Sequence, residues 1–168
     1  MYKSGIPKIS AMDKALKILS VSPASEAELR RKLLRAGYPE IMVEPAVNEC
    51  RRRGYINDEL LASDCAEYLT MRGTGRRMVK MKLIRRGIDR DLVDAAVADT
   101  DPEVELEAAR VALAGKLRLL SREKDWRKKK EKAFRFLISR GYTSDVISKL
   151  FAETQWSFKE DHEEEGDF

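Results

Sequence analysis

The stretch KLLRAGYPEIMVEPAV at residues 32–47 is answered fifty positions later by KLIRRGIDRDLVDAAV at 82–97, and more faintly by FLISRGYTSDVISKLF at 136–151. Aligned on Gly37, Gly87 and Gly141, the three stretches share a leucine four positions earlier: Leu33, Leu83 and Leu137. Beyond the glycine, offsets five, six, nine and ten are apolar in every copy: Met42, Val43, Ala46 and Val47, then Leu92, Val93, Ala96 and Val97, then Val146, Ile147, Leu150 and Phe151. Residues so spaced lie along one side of an α-helix. A glycine just past a helix end takes the left-handed backbone conformation that a side chain with a Cβ resists. Each phrase therefore predicts helix, tight turn, helix, and three copies predict a tandem repeat.

The punctuation between the copies extends this to the whole chain. Ser10 with Asp13 opens a first helix, and Ser25 with Glu28 forms a capping box for a second. Pro39 suits the first turn of a third, which runs to CRRRG at Gly54. Asn57 or Asp58 caps a fourth, GTG at 73–75 breaks it, and a fifth covers Arg76 to Arg86. A sixth follows an Asp89 cap, Asp101-Pro102 starts a long seventh, an eighth spans Trp126 to Arg140, and a ninth follows Thr143 or Ser144. No segment alternates with the period of a strand, so the expected class is all-α: nine helices in three tandem three-helix, helix-turn-helix-like units. The expected divisions are a flexible start at 1–9, units at 10–57, 58–100 and 101–152, and an acidic tail at 153–168 that reads as a disordered, solubilising end.

Units of about fifty residues bury little surface alone, so stacking on neighbours is their expected source of stability. A charged fraction of 37%, against about 25% for an average protein, suits a large wetted surface. Two cysteines, Cys50 and Cys65, and the single His162 supply neither a zinc set nor a disulfide framework, and no cofactor is expected. With that histidine in the tail, Ser-His and Cys-His catalysis is excluded, and no carboxylate pair stands out for acid–base work. No signal-peptide run and no stretch of 18 apolar residues occurs, so a soluble cytoplasmic protein without membrane attachment is expected.

Charge points to the class of partner. Residues 1–152 hold 32 basic and 22 acidic side chains, whereas residues 153–168 hold 1 and 7. The net +4 thus conceals a basic body that suits a polyanion. On a helical wheel through 126–140, Lys128, Lys129, Lys132 and Arg135 form one arc, and Ala133, Phe134, Leu137 and Ile138 the arc expected to be buried. In RGTGRRMVK at 72–80, Arg76, Arg77 and Lys80 share a helix side beside Arg72. The Walker spacing is absent, but backbone amides there could hold a phosphate. These eight cations are the candidate binding residues for a partner of that charge, with Gly37, Gly87 and Gly141 as structural turns.

Four segments in this order, ALKILSVSPASEAELRRKLLRAGY, RRRGYINDELLASDCAEYL, RGTGRRMVKMKLIRRGID and FRFLISRGYTSDVISKLF, resemble the RecX regulatory proteins of bacteria over residues 12–152. The most specific parts are Gly54-Tyr55-Ile56-Asn57-Asp58 with Ala62, and Arg72-Gly73 leading to Gly87-Ile88-Asp89. Leu61 stands where the family often has phenylalanine, and Val21 and Ser22 where it usually has arginine. The resemblance implies an elongated, curved, non-enzymatic module that binds the RecA recombinase filament on single-stranded DNA. It further implies inhibition of ATP hydrolysis, strand exchange and repressor cleavage, direct contact with single-stranded DNA in some members, and action here as a monomer. The rival classes are a stand-alone helix-turn-helix-like nucleic-acid-binding module and a helical scaffold that binds only protein.

Overall fold

The computed structural model of the chain describes residues 8–154 and 156. Most of the proposed flexible start and acidic tail lie outside the described residues. Among those described there are nine helices and no strand: α1 (Ala11–Leu19), α2 (Glu26–Arg35), α3 (Glu40–Arg52), α4 (Asp58–Met71), α5 (Arg76–Arg85), α6 (Arg90–Ala98), α7 (Pro102–Leu119), α8 (Trp126–Ser139) and α9 (Ser144–Glu153). They form three tandem units, α1–α3, α4–α6 and α7–α9, each around its own apolar cluster.

The repeated phrase builds each cluster. Leu33, Leu83 and Leu137 have no exposed surface, and Val43, Val93 and Ile147, six past each glycine, are equally buried. The same leucines also terminate their helices. Gly37, Gly87 and Gly141 have φ of +92°, +82° and +88°, and the amide after each (Tyr38, Ile88, Tyr142) donates back to the Leu33, Leu83 or Leu137 carbonyl at 3.2–3.4 Å. With the bonds from the glycine amides to Leu34, Ile84 and Ile138, this is the Schellman arrangement three times over. One residue thus anchors the core and closes the helix, and the residue after the glycine is buried in every copy.

Local capping follows the sequence, with one shift. Ser10, Asn57, Asp89, Asp101 and Thr143 accept from amides of their own first turns, and Ser25 and Glu28 complete the capping box. Pro39 is itself the N-cap of α3 rather than a residue of its first turn, because its extended backbone precedes the first helical residue, Glu40. Leu61 sits in the core of the second unit, where an apolar side chain of similar size keeps the packing.

The three glycines differ in what surrounds them. A Cβ on Gly87 would come within 2.4 Å of the Ala27 Cβ in the unit before it, and one on Gly141 within 2.5 Å of the Met78 Cβ, whereas nothing lies within 4 Å of that position on Gly37. Gly37→Ala is therefore expected to lose only the left-handed conformational energy, about 1–2 kcal/mol. Gly87→Ala should lose that plus a steric term of about 1–3 kcal/mol. Urea midpoints of the two variants would show the ordering, and equal losses would mean that the units do not press together at Gly87.

Candidate functional site

The first amides of a helix have no acceptor within it, and α2 and α5 find theirs in the following unit. At the first joint the Glu26 amide donates to the Asp58 carboxylate at 3.0 Å, and the buried Ser25 hydroxyl donates to the Arg86 carbonyl. At the second joint the equivalents recur: the Arg76 amide donates to Glu105 at 3.0 Å, and the Gly75 amide to the Arg140 carbonyl at 2.9 Å. Both carboxylates belong to the first helix of the incoming unit, where they meet the positive end of the helix dipole.

Arginines lock the joints from the side. Arg86 reaches across to Glu28 at 2.9 Å and also donates to the Pro23 carbonyl and the Cys65 sulfur. Burial alone would raise the Glu28 carboxyl, but hydrogen bonds from Arg86 and the Ser25 amide hold it below the usual glutamate range. Arg76 donates through Nε to Glu105 at 2.6 Å and through a terminal nitrogen to the Thr100 carbonyl at 3.0 Å. Glu105 is only 2% exposed.

These contacts redistribute the eight candidate cations. Arg76 belongs to the joint, not to a free face. The phosphate-cradle reading of RGTGRRMVK does not hold, because the amides of Gly75, Arg76 and Arg77 are already bound to Arg140, Glu105 and Gly141. Of that group Arg77 keeps an exposed side chain, Lys80 pairs with Asp94 at 2.6 Å, and Arg72 lies 5.6 Å from the Tyr68 ring centre and bonds its hydroxyl.

The α8 group remains together on one exposed row. Lys128, Lys132 and Arg135 are exposed and Lys129 is half-buried. Lys132 pairs with Glu123, Lys128 approaches Asp125 at 3.8 Å, and Arg135 meets Glu131 at 3.2 Å. The Lys132 hydrogen bond holds the Glu123 carboxyl down, and the backbone amide of Lys128 does the same for Asp125. Exposed pairs of this kind are worth less than about 1 kcal/mol, so a phosphate can replace the carboxylate.

The buried side of α8 is rotated from the wheel expectation. Ala133 and Leu137 are fully buried, but Phe134 is 42% and Ile138 38% exposed, and Phe136 packs against the core instead. The reason is that α7 covers the Phe136 side, where Lys116 sits over the ring at 5.4 Å, while Phe134 meets Phe151 edge-on at 6.4 Å.

Among the described residues no group of histidine, cysteine or acidic side chains is placed to hold a metal ion, and both cysteines are free. No helix there is long and apolar enough to cross a membrane. The described residues form a tandem array of three-helix units with exposed cations along α8.

Comparison with known proteins makes the class specific. Residues 11–50 match the first RecX three-helix domain, 57–97 the second and 103–151 the third. The chain is 32% identical over 149 residues to the regulatory protein RecX of Vibrio campbellii, covering 88% of this chain and 94% of that protein. It is 34% identical over 151 residues to its counterpart in Deinococcus radiodurans, covering 90% and 71%. The fold is shared with the crystal structure of RecX from Lactobacillus salivarius, at a TM-score of 0.76 and 21% identity over 85% of this chain and 93% of that one. A second crystal structure of a regulatory protein RecX superposes at 0.77 with 24% identity, over 84% and 70%. The chain belongs to the RecX family of regulatory proteins, a family that is not enzymatic.

Two outcomes are expected at the joints. Arg76→Met leaves Glu105 buried without a countercharge and should cost about 3–5 kcal/mol in urea unfolding, with much of the loss recovered when Glu105→Gln is added. The lowered Glu28 carboxyl contributes stability that is complete above about pH 4.3 and is lost as pH falls through its folded value. The stability gap between the native chain and Glu28→Gln, measured as urea midpoints from pH 7 to pH 3, should therefore close on acidification; a constant gap would mean that Arg86 does not hold the carboxylate.

Proposed function

We propose that the protein binds the filament of the RecA recombinase on single-stranded DNA and inhibits its ATP hydrolysis, strand exchange and co-protease activity. Membership of all three units in a family of regulatory proteins is the observation that carries this reading. The filament offers two kinds of contact: repeating protein protomers, which three similar units can engage in succession, and DNA phosphates, which a cationic row can neutralise with release of counterions. Joints braced by part-buried hydrogen bonds hold the units in register, so the body resists the protomer movements that hydrolysis requires. Lys128, Lys129, Lys132 and Arg135 on α8, with Arg72, Arg77 and Lys80 around α5, are the side chains assigned to these contacts. Arg76 contributes by fixing the α5 end.

The test is single-stranded-DNA-dependent ATP hydrolysis by the host recombinase, titrated with this protein over a range of salt. Loss of hydrolysis at substoichiometric amounts would indicate capping of growing ends, and loss only near saturation would indicate coating of the groove. Unchanged hydrolysis with retained binding to bare duplex would replace the regulator by the stand-alone nucleic-acid module.

The triple variant Lys128→Glu, Lys132→Glu, Arg135→Glu should require at least about ten times more protein for half-inhibition and flatten the salt dependence by about one unit of slope per lost phosphate contact. Its unfolding midpoint should move little, because the three residues are exposed. Inhibition with an unaltered salt slope would remove α8 from the contact surface.

A further inference from the structure

Helix α7 has two apolar faces, and among the described residues only one of them packs into a core cluster. Leu106, Ala109, Leu113 and Leu117 face the core of the third unit. On the opposite side Val104, Ala108, Val111, Gly115 and Leu119 form a second stripe, falling within about 100° of one another on a wheel. That stripe is the floor of a groove of about 1060 Å³ between the end of α4, α7 and α8. Val111 is 63% exposed, Leu119 80%, and Met71 on the α4 wall 66%. These apolar side chains are contiguous along one groove rather than scattered singly.

Gly115 sharpens the reading. Glycine is a poor residue inside a helix, and here a Cβ would meet nothing within 4 Å, so no contact among the described residues requires it. With Ala108 and Ala112 it leaves a shallow channel along α7, into which the backbone of another helix can settle closely.

The rim states the charge of the occupant. Arg72, Lys116, Arg118 and Arg140 line the groove, against the single acid Glu107, which is already paired with Arg110 at 3.0 Å. None of the four cations has a carboxylate within salt-bridge distance among the described residues; Lys116 and Arg140 instead lie over the Phe136 ring at 5.4 and 5.1 Å. The exposed floor is aliphatic, and its one aromatic ring is half-buried under those two cations. Base stacking needs open aromatic or planar faces, which favours a protein segment over a nucleic acid.

We propose that the groove between α4, α7 and α8 is a docking site for an amphipathic, acidic helix of a protein partner, with apolar side chains on the α7 stripe and carboxylates toward Arg72, Lys116, Arg118 and Arg140. This site is separate from the cationic row of α8 and shares Arg72 with the side chains assigned to the filament. Helix-in-groove recognition of this kind is carried by apolar anchors at i, i+3, i+4 and i+7.

The probe is a fluorescein-labelled 18-residue peptide with leucine at those anchor positions and glutamate elsewhere, read by anisotropy against the full chain. A matched peptide with lysine in place of glutamate is the control. The glutamate peptide should bind at least tenfold more tightly than the lysine peptide. Val111→Asp and Gly115→Leu should each weaken it at least tenfold, and because leucine is the better helix former, Gly115→Leu should melt no lower than the native chain. Equal binding of both peptides, or unaltered binding by both variants, would overturn the proposal. So would loss of oligothymidylate binding in Val111→Asp, which would make the occupant a nucleic acid. Displacement of the probe by a synthetic peptide of residues 157–168 at equal affinity would instead assign the groove to the chain's own acidic end.

Discussion

A helix cannot satisfy its own first amides, and in this chain that deficit couples one unit to the next. The α2 and α5 ends both take a carboxylate from the first helix of the following unit, Asp58 in one case and Glu105 in the other. In the same place each takes a contact with the carbonyl just before the next glycine. The two joints are thus one device used twice with different side chains. Where the first has a serine hydroxyl, the second has a bare glycine, because a Cβ on Gly75 would fall 2.3 Å from the Tyr142 nitrogen. The second joint brings backbone to backbone, and the first keeps a side chain between.

The device also explains why the glycine turns recur where they do. A left-handed residue is needed to end the helix in each unit, but at Gly87 and Gly141 the missing Cβ serves a second purpose, admitting the helix end of the preceding unit. At Gly37 no described residue lies within 4 Å of that position. Among the described residues the first unit therefore uses the motif for its own helix alone.

Much of the fold was legible in the sequence because its determinants are local. Helix ends are set by residues three or four positions apart, as with Ser25 and Glu28, and the buried stripe by a period that any helix imposes. The joints were not legible. Glu28 and Arg86 are 58 residues apart, and Glu105 and Arg76 are 29 apart, so nothing in the local pattern separates them from solvated charges. Asn57-Asp58 illustrates the limit: either residue suited the cap of α4, and only the three-dimensional arrangement shows Asn57 serving its own helix and Asp58 serving α2. The pairing of Arg76 with Glu105 escapes a helical-wheel reading for the same reason. The rotation of α8 follows a related rule, since the wheel gives an apolar arc but not which neighbour will cover its edge.

The division of the cations follows from burial. Glu105 is shielded from water, so its interaction with Arg76 acts in a low-dielectric setting where losing either partner strands a charge. The carboxylates beside Lys128 and Arg135 are open to solvent, and those pairs can exchange partners at little cost. The two kinds of pair differ in how readily they exchange partners. The structure keeps them apart: shielded ion pairs brace the joints, and exposed ones lie along α8, where a competing phosphate can reach them.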